Sequence, residues 1–173
     1  AGPVHSTGQR LDLADVRLLA PVIPRSKVVG IGRNYAAHAA ELGHEVPETP
    51  LIFLKPNTAV IGPGEAIVQP PETSDLQFEG ELAVVIGRIC RRVPPERAAE
   101  VIFGYTIGND VTCRDLQRTD SQWTRAKGYD SFCPLGPWIV THLGLDDAAD
   151  LDVSTTVNGE TRQQGNTSQM MHG

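Results

Sequence analysis

Cysteine is scarce in this chain: Cys90, Cys113 and Cys133 are the three, and no two stand at the C-x-x-C spacing. That argues against a disulfide framework or a zinc knuckle and leaves reduced cytosolic thiols as the expectation. Long apolar runs are missing as well. None approaches the roughly 18 residues of a membrane-spanning helix, and the opening AGPVHSTGQR has no basic stretch followed by an apolar one. The expectation is a cytoplasmic protein with no membrane partner. Basic charge is also short, with 15 Lys and Arg against 21 Asp and Glu and a formal net charge of -6. Nucleic acid is therefore an unfavourable partner, anionic lipid finds no basic patch, and a small molecule is the expected one. Aromatic residues make up only 5% of the chain, whereas 17 glycines and 13 prolines in 173 residues mark many short elements joined by turns. A single domain with a β-rich or mixed fold follows.

What the sequence does contain is concentrated in residues 75–87, DLQFEGELAVVIG. On a strand, side chains alternate between faces, so Glu79 and Glu81 point the same way. Two like charges so placed repel, and water on an exposed face, a basic partner, a shared proton or a divalent cation could offset that. The apolar run LAVVIG reads as a strand covered on both sides, which weighs against the exposed face. About thirty residues on, another apolar strand-like run, GYTIGND, carries Asp110. Three carboxylates and no sulfur point to Mg²⁺, with Mn²⁺ as the alternative.

A second constellation follows the strand expected over residues 27–31. In GIGRNYAAHAAELG, Asn34 can cap a short helix and Gly43 can end it. His38 and Glu41, three apart, are neighbours on one helix face, the arrangement of a base and its orienter, or else an exposed pair of little energetic value. The glycines at 30 and 32 do not make a dinucleotide loop, since Tyr35 occupies the third glycine position and no βαβ unit follows.

Along the remainder, LDL and VRLL in the lead-in, LIFLK, AIVQP and residues 138–141 read as strands. Residues 43–50 read as a surface loop and a candidate lid over the pocket. PPERAAEVIFG reads as a helix opened by Pro94 and Pro95 and closed by Gly104. CRDLQR reads as a single helical turn followed by a polar loop to Lys127, and residues 152–163 as a hairpin about an Asn158-Gly159 turn.

Taken in order, GIGRNYAAHAAE, LIFLKP, FEGELAVVIG, GYTIGNDVTCRDLQ, AKGYDSFCPLGPW and VNGETRQQG resemble the fumarylacetoacetate hydrolase family. The resemblance implies an α+β, mostly β fold, a mixed β-sheet roll or sandwich with a few short helices. It divides the chain into an N-terminal lead-in, residues 1–26, and a catalytic domain, residues 27–173. Because the family domain continues into further strands, that domain is expected to be cut short at its C-terminal end. Glu79, Glu81 and Asp110 match the family's metal ligands, and His38 and Glu41 its base dyad. Lys127 is implied as catalytic, and Arg33, Arg114 and Gln117 as substrate-binding; on the sequence alone Arg114, Gln117 and Lys127 read as surface polar residues. The implied activity is Mg²⁺-dependent and directed at 2-oxo acids or their enols: carbon-carbon hydrolysis of acylpyruvates or oxaloacetate decarboxylation. The alternatives are 2-hydroxyhepta-2,4-diene-1,7-dioate isomerisation and, in another class, a noncatalytic metal-stabilised binding domain. A homodimer is implied.

Overall fold

The computed structural model describes residues 5–35 and 48–173. His38, Glu41, most of the expected helix over 34–43 and most of the expected lid lie outside the described residues; Asn34, read as the cap of that helix, exchanges two side-chain hydrogen bonds of 2.8 Å with the backbone of His172. Short strands dominate, joined by turns and brief helices, as the glycine and proline content requires. Among its described residues the lead-in forms no strand; its LDL segment runs into a 3-10 turn, Leu13–Asp15, capped by Asp12.

Strands β1 (Lys27–Gly32) and β2 (Leu51–Pro56) pair antiparallel, with Gly30 opposite Phe53 and Gly32 opposite Leu51. These glycines serve packing. A Cβ on Gly30 would enter the Phe53 ring, and one on Gly32 would lie 2.6 Å from Trp123 Cζ3. The glycine-x-glycine spacing is thus a seat for two aromatic rings, which meet edge to face at 5.7 Å.

A four-stranded sheet carries the centre of the molecule in the order β3 (Val60–Ile61), β8 (Cys133–Val140), β6 (Ile102–Asn109), β5 (Gly80–Ile86). The β3–β8 pair is parallel and the others antiparallel. Beside it, β4 (Leu76–Gln77) pairs with β7 (Thr112–Cys113), so the acidic segment enters through a broken strand and begins β5 only at Gly80. The strand β5 is not covered on both sides as its apolar run suggests. Val84 and Ile86 are 47% and 54% exposed, while Glu81, Ala83 and Val85 on the other face are partly buried.

After β7 come α1 (Arg114–Thr119) and α2 (Thr124–Lys127), the latter in the segment expected as loop. A short α3 (Leu145–Ala148) leads to the hairpin of β9 (Asp152–Val157) and β10 (Glu160–Asn166), turning at Asn158 and Gly159 with φ of 53° and 83°, as a two-residue turn of this sequence demands. Three expectations shift. Residues 95–100 wind as a 3-10 helix, Pro95–Glu100. Gly104 lies within β6, where a Cβ would press on Ile139 Cγ2 at 2.7 Å. AIVQP is no strand: the Val68 N–H turns to Ser131 Oγ at 2.9 Å, and Pro70 and Pro71 follow with no donor to give.

The buried core gathers Ala59, Val111, Cys113, Leu116, Ala126, Phe132, Cys133 and Leu135. It lies under α1, α2 and the β7 corner. Consequently Asp110, Arg114 and Lys127 are fixed from behind by packed apolar residues. Among the described residues no helix is long and apolar enough to cross a membrane.

Candidate metal and catalytic centre

Glu79, Glu81 and Asp110 converge, as the spacing and the resemblance lead one to expect: each offers a carboxylate oxygen, and the three oxygens lie within 4.8 Å of one another. Backbone pairing brings them together. Gly80 pairs with Asn109 across β5 and β6, the Asp110 N–H donates to Glu79 O at 2.8 Å, and the Glu79 N–H donates to Asn109 Oδ1 at 3.1 Å. They stand in a cleft of ≈ 1290 Å³ that Phe53, Trp123 and Arg33 also line.

Three cations, Lys127, Arg114 and Lys55, pair with the carboxylates of Glu79 and Asp110. Lys127, 1% exposed, sits at the end of α2 with Nζ donating to Asp110 Oδ2 at 2.6 Å, Thr112 Oγ1 at 2.8 Å and Glu79 Oε2 at 3.1 Å. Its ammonium also lies 4.7 Å from the Phe53 ring centre. Arg114, 3% exposed, spends its planar fork on protein acceptors: Gln77 Oε1 at 3.0 Å, Glu79 Oε1 at 2.6 Å and Gln117 Oε1. It therefore holds Glu79 and Gln117 in place. Gln117 gives its oxygen to Arg114, so its amide nitrogen is the end turned to other partners. Arg33, in the left-handed region with φ 56°, stacks 5.7 Å from the Trp123 ring centre at the cleft wall.

Lys55 is the residue that sequence reasoning missed. It is 2% exposed, and Nζ donates to three backbone carbonyls, those of Val111 at 3.0 Å, Lys127 at 2.7 Å and Phe132 at 2.8 Å. A signal was present: Lys55 shares the inward phase of β2 with Leu51 and Phe53, while Ile52 and Leu54 face out. An ammonium has three N–H groups, and all are engaged by these carbonyls. The same Nζ lies 2.6 Å from Asp110 Oδ1, a buried ion pair that sets a positive charge against that oxygen.

The titration behaviour follows from this layout. Burial works against the ionised form of Glu79, but Lys127 and Arg114 together hold its carboxyl below the usual value. Burial raises Asp110, with Lys127 and Lys55 pulling against it. Burial also pulls Lys55 down against the attraction of Asp110. Glu81 has no ion pair among the described residues, and burial, then the charges of Asp110 and Glu79, push it up to about 8. A hard oxygen donor set of three converging carboxylates, one of them raised by burial and then by its two acidic neighbours, fits a divalent cation such as Mg²⁺ or Mn²⁺.

The family model described as Fumarylacetoacetate (FAA) hydrolase C-terminal matches residues 27–173. The chain is 58% identical over 166 residues to Protein Rv2993c of Mycobacterium tuberculosis, covering 96% of this chain and 62% of that protein. It is 44% identical over 163 residues to oxaloacetate tautomerase YisK of Bacillus subtilis, covering 92% of this chain and 54% of the relative. A solved structure, 5-carboxymethyl-2-hydroxymuconate delta-isomerase from Mycobacterium smegmatis, matches with a TM-score of 0.85 at 59% identity, over 96% of this chain and 64% of that one. The chain spans less than two thirds of the length of each of these three. With its mostly β fold and the extent of these matches, the chain belongs to the fumarylacetoacetate hydrolase family.

Proposed function

We propose that this chain carries the site of a Mg²⁺-dependent enzyme that moves a proton between carbon and oxygen in a 2-oxo dicarboxylic acid or its enol. The observation that carries this reading is the convergence of Glu79, Glu81 and Asp110 in a cleft whose buried cations are already committed to protein acceptors. Two relatives whose names specify a reaction, a tautomerase and an isomerase, support proton transfer as the outcome. Carbon-carbon hydrolysis of an acylpyruvate is the second reading, favoured by the family's name, and oxaloacetate decarboxylation would draw on the same groups.

In this reading Glu79, Glu81 and Asp110 would hold the ion, Glu81 as its carboxylate. The chemistry such an ion would supply there is Lewis-acid polarisation of the 2-oxo carbonyl. Lys127 stabilises negative charge growing on the substrate oxygen by its field. Its N–H toward Glu79, the longest of its three hydrogen bonds at 3.1 Å, is the one a substrate oxygen can take over most readily. Arg33 and the Gln117 amide nitrogen orient a carboxylate. His38, with Glu41 as its orienter, takes a proton from the carbon beside the 2-oxo group and delivers it to the enolate oxygen, and the enol-to-keto direction reverses that transfer.

The test is an ultraviolet assay of the full-length protein with enol-oxaloacetate, 2-hydroxyhepta-2,4-diene-1,7-dioate and acetylpyruvate, each with Mg²⁺ and with EDTA. Rapid enol-keto conversion or diene isomerisation that EDTA abolishes is the expected result. Cleavage of acetylpyruvate as the dominant reaction would replace this reading with the hydrolytic one, and turnover insensitive to EDTA would remove the metal from it.

A further inference from the structure

The strand β5 lies at the edge of its sheet, and its first residue, Gly80, separates the two glutamates. In an antiparallel ladder alternate residues turn their N–H and C=O away from the partner strand, and at an edge those groups need another partner. At Gly80 the partner is a side chain. The Gly80 N–H donates to Gln163 Oε1 at 2.8 Å, and Gln163 Nε2 donates back to Gly80 O at 2.7 Å. One amide thus imitates a single residue of a neighbouring strand. Thr155 Oγ1 donates to the same Oε1 at 3.0 Å, which fixes the end of the amide that faces the Gly80 N–H.

The hairpin is shaped for this contact. Thr161 pairs with Thr156 and Gln163 with Thr155, leaving Arg162 as an extra residue, a bulge that sets the side chain of Gln163 beside that of Thr155. Gly80 is complementary, since a Cβ there would collide with Thr155 Oγ1 and lie 3.3 Å from Gln163 Oε1. From the β6 side, Asn109 and the Asp110 N–H already grip Glu79. The Glu79-Gly80-Glu81 backbone is therefore held on both sides, by β6 and by an amide more than eighty residues away in sequence.

We propose that Gln163 is a positioning residue for the cation site: by clamping the Gly80 peptide it fixes the relative placement of the Glu79 and Glu81 carboxylates. It touches neither carboxylate and acts through the backbone between them. This rests on the reading that Glu79, Glu81 and Asp110 hold a divalent cation. Partners of this kind commonly govern affinity by about 10- to 100-fold. Mg²⁺ demands near-ideal octahedral geometry at about 2.0–2.1 Å, whereas Ca²⁺ tolerates looser arrangements at about 2.3–2.6 Å. A loosened Glu79–Glu81 pair should accordingly lose Mg²⁺ more than Ca²⁺.

The experiment is calorimetric titration of the full-length protein with Mg²⁺ and separately with Ca²⁺, comparing wild type, Gln163→Met and Gln164→Ala. Met keeps the length of Gln163 and removes both hydrogen bonds to Gly80, together with the one from Thr155, while Gln164 is an exposed neighbour on the same strand. Thermal midpoints in EDTA establish that each variant folds. Gln163→Met is expected to weaken Mg²⁺ binding at least tenfold and to narrow the Mg²⁺/Ca²⁺ discrimination, with Gln164→Ala unchanged. Should Gln163→Met prove unfolded, Thr155→Val, which frees one end of the amide, is expected to shift the same ratio in the same direction by less. Wild-type affinity and selectivity in the folded variant would overturn the positioning role while leaving the cation site intact. No cation binding by wild type would overturn both.

Discussion

Replacing Glu81 by Gln should stabilise the metal-free protein above neutral pH while abolishing its response to Mg²⁺. Glu81 is raised from 4.5 to about 8 by burial and by Asp110 and Glu79, so its folded state favours the protonated form. A carboxyl raised in this way contributes stability that is fully present below its unfolded value, declines as pH rises, and is lost above about 8. At about 1.36 kcal/mol per pH unit the full shift would amount to ~5 kcal/mol. Glu81 is only partly buried, and solvent screening brings the expectation down to on the order of 2–3 kcal/mol. For a chain of this size that corresponds to roughly 5–10 °C in thermal midpoint. The assay is thermal unfolding in EDTA from pH 5 to 9. Wild type minus Glu81→Gln should fall across pH 5–8 and flatten beyond, and at pH 8.5 the variant should melt higher. With Mg²⁺ the order should reverse, because a ligand that binds only the folded state raises stability with its concentration and the variant lacks a ligand oxygen's charge. A variant that melts lower than wild type in EDTA at pH 8.5 would refute the reasoning, since Glu81 would then be a stabilising anion and not a strained one.

Lys55→Met should destabilise the protein by roughly 3–5 kcal/mol, as for removal of one partner from a buried ion pair, because it strips donors from the carbonyls of Val111, Lys127 and Phe132 and a charge from beside Asp110. Urea unfolding measures it, and a change under 1 kcal/mol would contradict the assigned role. His38→Ala should lower kcat by about 10²- to 10⁴-fold with Mg²⁺ affinity and thermal midpoint nearly unchanged; near wild-type turnover at saturating Mg²⁺ and substrate would end the base assignment.

What could be read from the sequence was local. The phase of Glu79 and Glu81, the acid at the end of the GYTIGND run and the Asn158-Gly159 turn each depend on a few neighbouring residues, and each appears where expected. The depth of Lys127 and Arg114 could not be read that way. They read as surface residues because the partners that satisfy them, Asp110 and Glu79, stand 17 and 35 positions away and meet them only once β7, α1 and α2 have folded. Lys55 was hidden differently: its carbonyl partners carry no side-chain signature at all. The apolar run of β5 suggested cover on both faces, yet periodicity cannot tell a strand buried twice from an apolar edge strand, and Val84 and Ile86 are exposed. Gln163 belonged to a recognisable hairpin, but its aim depends on the one-residue bulge at Arg162.

The most direct measurement is the anomalous diffraction of crystals of the protein grown or soaked with Mn²⁺. A single anomalous peak among the carboxyl groups of Glu79, Glu81 and Asp110, with oxygen atoms of all three at about 2.0–2.3 Å and absent from Glu81→Gln crystals, is the predicted result. A peak elsewhere, or none at saturating Mn²⁺ in crystals whose three carboxylates are ordered as described, would contradict the account.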